Sequence, residues 1–254
     1  MTVAPVVVVG SCGSGSPGVT TVAVGLAWVL DALMVEADAD GGVLAARAGL
    51  SLHPDAPGLS ALLARLADND DPQRDVGVGQ LLASGVWVAP SVTAMEPASA
   101  LAGQLAGRLS EVRTRCTVPL VVDVGRLRPG SPAWLLASAA DVVVVVVSPS
   151  VASIDALLGR SARLCQLGDV VVVVNGAGAF SGSEIAVELD RRRSTLRVVG
   201  VLPHDPAGAD GLLVGGRGWQ RRPLATALAQ LRNAFRIETV DPETVDQATI
   251  EVSS

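Results

Sequence analysis

The chain contains no lysine: each of its 19 basic side chains is an arginine. Any phosphate it binds must be met by guanidinium groups, hydroxyls or backbone amides, because no flexible ammonium is on offer. Tyrosine is missing too and phenylalanine occurs twice, so aromatics are 2% of the residues and the core falls to Val, Leu and Ala. The four tryptophans are scattered and read as core or interface residues rather than base-stacking platforms. Positive charge is short overall, with a net charge of −6. That argues against a dedicated nucleic-acid binder and leaves room only for a local basic patch. Cys12, Cys116 and Cys165 are far apart, with neither metal nor disulfide spacing, which fits a reducing compartment. Cys12 borders a glycine-rich turn and is either reactive or a small filler. His53 and His204 are too few and too scattered for a metal site or a triad. The all-valine runs at 142–147 and 170–174 fall far short of the ~20 residues that cross a bilayer. Such runs suit strands buried on both faces of a parallel sheet. No basic segment precedes the first apolar run, so no signal peptide is expected and the expected location is cytoplasmic.

What is present is alternation. β-branched runs at 3–9, 32–37, 85–89, 118–124, 141–147, 169–174 and 197–202 alternate with Ala/Leu-rich helical segments. Those segments are 18–30, 59–67, 98–115, 133–139, 153–167, 183–189 and 223–235. The pattern predicts an α/β fold, a single doubly wound, mostly parallel sheet flanked by helices. Residues 68–79 are polar and read as a surface loop. No internal repeat or domain boundary stands out. The expected division is one domain over 1–237 and an acidic, flexible tail over 238–254.

The first strand runs into "GSCGSGSPGVTT" and then a helix. Strand, glycine turn and helix in that order are the setting of a phosphate-binding loop. Gly13, four residues, Gly18 and Thr20 are correctly spaced, but Val19 stands where the loop's lysine belongs. The candidate nucleotide-binding residues are Gly13, Ser14, Gly15, Ser16, Pro17, Gly18, Val19, Thr20 and Thr21. Backbone N–H groups at a helix N-terminus hold an anion without lysine. Thr20 would offer its hydroxyl to Mg²⁺, whereas Pro17 removes one donor. A lost charge-assisted bond costs roughly 1.5–3 kcal/mol, about ten- to a hundredfold in affinity. Transfer chemistry suffers more, because the lysine sits where charge develops. The competing reading is a glycine turn that merely joins a strand to a helix.

Acids follow two other strands. Glu36, Asp38 and Asp40 leave the second, and Asp123 ends "PLVVDV". The carboxyl ends of strands are where α/β sheets bind ligands. Glu36 and Asp38 are candidate catalytic residues, and Thr20, Asp38 and Asp123 candidate magnesium residues. The acids could equally be a solvated turn.

Taken in order, these segments resemble the ParA/MinD group of P-loop ATPases with a deviant Walker A motif, over most of the chain from Val3 to Phe235. The resemblance implies that Ser14 and Val19 replace two lysines: one that reaches a dimer partner's nucleotide and the loop's own. It implies that Glu36 matches a water-orienting acid and Asp123 the Walker B acid. "GVWVAPS" (85–91) resembles the family's strand leading to its "lPa" turn. "VVVVNGAG" implies Asn175 near a base, and "VVGVLPHDPAGADG" implies Pro203, Asp205 and Pro206 beside it. The family positions cargo such as plasmids, chromosomes, division inhibitors and pilus machinery. Its TadZ/CpaE branch, tied to pilus and secretion assembly, also includes atypical loops.

The resemblance implies a homodimer that recruits protein partners, with ATP or ADP and Mg²⁺ as cofactors and hydrolysis impaired by the missing lysines. Two alternatives stay open. One is an active ATPase in which Arg126, Arg128 or a partner's arginine replaces the lysine. The other is a non-specific DNA binder using the basic clusters at 190–197 and 217–236. Membrane attachment is not expected, because residues 237–254 carry no basic side chain to face anionic lipid.

Overall fold

The computed structural model describes residues 3–13, 15, 17–53, 55–68 and 77–235. Eight strands form one sheet: β1 (Val6–Ser11), β2 (Leu33–Glu36), β3 (Gln80–Leu81), β4 (Trp87–Ala89), β5 (Leu120–Arg126), β6 (Val142–Val147), β7 (Val170–Asn175) and β8 (Arg197–Leu202). Their spatial order is β3-β4-β2-β5-β1-β6-β7-β8. All neighbours are parallel except the short β3–β4 pair at one edge. Valine decides the layers. In β6, Val143, Val145 and Val147 enter one apolar cluster and Val142, Val144 and Val146 the other. β1 does the same, with Val6 and Val8 on one face and Val7 and Val9 on the opposite one. Period-two alternation in a run of a single residue type thus builds two cores back to back.

Among the described residues nine α-helices cover the two faces: α1 (Val19–Leu30), α2 (Leu44–Ala48), α3 (Leu59–Ala67), α4 (Met95–Arg115), α5 (Pro132–Ser138), α6 (Val151–Leu164), α7 (Gly182–Arg191), α8 (Pro206–Val214) and α9 (Pro223–Leu231). Leucines of α3, α4, α5, α6 and α7 fill the first core. Those of α1, α8 and α9 fill the second. α1 is apolar nearly all round because the sheet and α9 enclose it. A Cβ on its Gly25 would lie 2.6 Å from Leu228.

The predicted strands and long helices are present, with ends shifted by a few residues. α6 begins at Val151, not 153, because Ser150 caps it by accepting from the Ser153 amide at 3.4 Å. The 153–167 and 223–235 predictions each end in a 3₁₀ turn, Cys165–Leu167 and Arg232–Ala234. Three elements were unforeseen. β3 is only two residues and α2 only five. α8 reads as a loop because it opens on proline and holds two glycines. Both glycines are packing sites: a Cβ on Gly211 would lie 2.5 Å from Trp219, and one on Gly208 would lie 3.1 Å from Leu224. Within the polar stretch 68–79, Val78 is buried in the first core. Residues 69–76 and the predicted tail 238–254 lie outside the described residues.

Candidate functional site

β1 lies between β5 and β6, and the chain departs from it to both sides of the sheet. Its carboxyl end is therefore the crevice where an open α/β sheet binds ligands. There the 13–20 segment turns into α1. Gly18 is the N-cap residue, with φ 86° and ψ 33°, a left-handed conformation that glycine alone adopts cheaply. Gly18 has no side chain to cap the helix, and no acid stands in the first turn. The first backbone bond of α1 runs from the Val22 amide to the Gly18 carbonyl, 3.0 Å. The amide groups before it have no partner within the helix, the arrangement that holds anions at other helix N-termini. Ser14 and Ser16 lie outside the described residues.

Val19 does not face this hollow as a lysine would. It is 8% exposed and belongs to the second core. Thr20 turns the other way and donates its hydroxyl to the Asp123 carboxylate. Asp123 is 1% exposed and also accepts from the Gly125 amide, 2.9 Å. Burial pushes its carboxyl up to about 7, against the lowering effect of those two bonds. β2 and β5 run in register there, with Glu36 opposite Asp123. Asp38 rests on Gly125, in a space that a Cβ would occupy. Its Oδ1 accepts from the Asp40 amide, 2.9 Å. Burial raises the Asp38 carboxyl; the bond from the Asp40 amide opposes this, the Asp40 charge adds to it, and Arg126 and Arg128 lower it.

Glu36 is equally buried, but its oxygens are taken. Oε1 accepts from the Val43 and Leu44 amides at 2.8 and 3.0 Å, and Oε2 from the Ser91 amide at 3.0 Å. The carboxylate joins the start of α2 to the exit of β4. Gly42 allows this, since a Cβ there would meet Glu36 Oε2 at 2.6 Å and the Ser91 carbonyl at 2.8 Å. Burial raises the Glu36 carboxyl while its three amide bonds lower it. Of the arginines proposed to replace lysine, Arg128 is paired with Asp40 at 2.9 Å. That bridge spans the exits of β2 and β5. The Cys12 thiol is buried in the first core, and desolvation pushes it up to about 11. It is a filler rather than a nucleophile at neutral pH.

No protein-family model and no curated protein matches the sequence. Solved structures do. The cell division ATPase MinD of Pyrococcus furiosus superposes with a TM-score of 0.68 at 16% identity, covering 90% of this chain and 97% of that one. The septum site-determining protein MinD of Pyrococcus horikoshii, complexed with Mg-ADP, gives 0.66 at 16%, covering 99% and 100%. A ParA family ATPase of Chlorobium tepidum gives 0.65 at 15%, covering 89% and 96%. The chain has the MinD/ParA fold.

The remaining predicted residues lie at the ends of β7 and β8. Asn175 ends β7 opposite Leu202 of β8. Its Nδ2 donates to the Pro17 carbonyl at 2.7 Å, a contact with the phosphate-type loop that spacing alone could not foretell. Pro203 and the exposed His204 follow β8. Asp205 turns inward and caps α8 by accepting from the Gly208 amide, 3.0 Å. It also accepts from Arg222 Nη2, 2.6 Å, and the Leu224 amide, 3.3 Å. The Arg222 guanidinium holds its carboxyl down at about 2. Asp205 thus ties α8 to α9. The basic clusters are partly neutralised: Arg191 and Arg192 lie beside Glu188, Arg197 beside Asp169 and Arg222 beside Asp205. Among the described residues no helix is long and apolar enough to cross a membrane.

Proposed function

We propose that this protein positions or scaffolds cargo as a degenerate MinD/ParA-like protein, with weak nucleotide binding and little hydrolysis. The observation that carries this reading is Val19, an apolar side chain packed into the core at the lysine position. The uncapped start of α1 supports retention of a phosphate hollow. A nucleotide would be held through backbone amides of the 13–20 segment, and the cost of the missing ammonium is roughly tenfold to a hundredfold in affinity.

Among the described residues no three His, Cys, Asp or Glu side chains form a group able to hold a metal by themselves. The residues do fit a magnesium ion that arrives with phosphate. Thr20 would ligate it through its hydroxyl, with Asp123 and Asp38 beside it. Such an ion would supply charge neutralisation on the phosphates. Glu36, with its carboxylate engaged by three amides, acts as a strut between two loops rather than as an orienter of water. Arg128, one of the arginines that could take the lysine's place, is committed to Asp40. The cargo-recruiting form is a homodimer that meets protein partners.

A phosphate-release assay on pure protein, run beside Thr20→Ala and Asp123→Ala, tests this. Release indistinguishable among the three is the expected result. Steady turnover in the wild type that both substitutions abolish would establish an active ATPase instead, with an arginine in the lysine's role.

A further inference from the structure

Asn175 does more than face the crevice. The two ends of the site come from strands that do not touch, β1 and β7, with β6 between them. One side-chain bond bridges them: Asn175 Nδ2 to the Pro17 carbonyl, 2.7 Å, across 158 residues of sequence. Since that carbonyl can only accept, the amide nitrogen of Asn175 must face it. The partner peptide sits at the kink of the loop. Pro17 precedes Gly18, whose left-handed φ of 86° brings its Cα against the same nitrogen, so that a Cβ there would overlap Asn175. Pro17 lacks an N–H, and Gly18 makes no side-chain cap. Asn175 itself is held firmly: it pairs with Leu202, and the Gly176 amide donates to the Leu202 carbonyl at 2.9 Å.

We propose that Asn175 is a positioning residue for the phosphate-type loop, holding the Pro17–Gly18 kink through its amide so that the loop and the β7–β8 end of the crevice move as one unit. In a loop without lysine, this bond stands in for a side chain that would otherwise be anchored from within. The proposal concerns loop shape and stands whether or not a nucleotide binds; only its ligand arm rests on the function proposed above.

The test uses the full chain with Asn175→Ala and Asn175→Asp, the second keeping the shape while losing the donor. Amide hydrogen exchange is followed by mass spectrometry without ligand. Peptides covering Gly18–Val24 should exchange about two- to tenfold faster in both variants, the effect of one lost hydrogen bond. Peptides of α9 should be unchanged. Exchange at Gly18–Val24 within twofold of wild type in both variants overturns the proposal, as does acceleration in Asn175→Ala alone, which would assign the effect to packing. Binding of inorganic tripolyphosphate, a probe with no base, forms the second arm. It should weaken several-fold in both variants if the loop is held by Asn175. Wild-type affinity retained by both variants would confine Asn175 to the base end and overturn the proposal. Failure of wild type itself to bind tripolyphosphate would count against the phosphate hollow, leaving the exchange arm to decide the role of Asn175.

Discussion

Replacing Gly18 by alanine should be the most damaging single-methyl change in the loop. Gly18 has φ 86° and ψ 33°, and a left-handed conformation costs a residue with a Cβ about 1–2 kcal/mol. The new methyl would also overlap Asn175 Nδ2, displacing it from the Pro17 carbonyl and losing a bond of about 0.5–1.5 kcal/mol. Together the two effects predict a loss of about 1.5–3.5 kcal/mol. In a chain of this size each kilocalorie lowers the melting temperature by about 2–4 °C. Gly15 provides the internal control. It has no heavy atom within 4 Å of its Cβ position, so Gly15→Ala should stay within about 0.5 kcal/mol of wild type. Urea denaturation of the three proteins, with a shared slope, measures both. A Gly18→Ala midpoint equal to wild type, or a Gly15→Ala loss as large, would refute the assigned backbone geometry.

Three further outcomes follow from the charges. Asp123 has its carboxyl raised by burial to about 7, above the ordinary 3.8, so the native state binds the proton more tightly than the unfolded chain. Stability should therefore fall as pH rises from about 4 to about 7, and Asp123→Asn should flatten that part of the urea midpoint–pH curve. Asp205 is shifted the opposite way, to about 2, by Arg222. Its contribution is present above pH 4 and lost as pH falls toward 2, and circular dichroism melts of Asp205→Asn should show lower stability at pH 7 with little difference at pH 2. Arg128→Ala breaks an exposed pair with Asp40 and should cost no more than about 1 kcal/mol in urea titration. A much larger loss would mean that the bridge between the β2 and β5 exits holds those two loops together.

The fold was largely legible because β1, β6 and β7 are mostly valine. A run such as Val142–Val147 can only be buried on both faces, and that already demands helices above and below. The glycine spacing 13–18 and the acids at 36, 38 and 123 pointed to a candidate site at the carboxyl edge of β1, β2 and β5, where those residues do lie. What spacing could not give was the use of each side chain. Glu36 and Asp38 are two residues apart and look alike, yet one accepts three backbone amides and the other leans on Gly125. Asp205, which the resemblance puts beside a base, has its carboxylate tying α8 to α9. α8 itself was hidden because its stability comes from close glycine packing on Trp219 and Leu224 rather than from helix propensity. Asn175 could be assigned to the crevice but not to the Pro17 carbonyl, a contact that depends on how far β7 projects beyond β6.

The central claim is that the phosphate hollow persists while the ammonium group is gone. Calorimetric titration of ATP with Mg²⁺ into wild type and Val19→Lys tests it most directly. If the hollow is intact, the restored lysine should tighten binding about ten- to a hundredfold, with circular dichroism unchanged. Equal affinity in the two proteins, or no binding by a folded Val19→Lys, would contradict it.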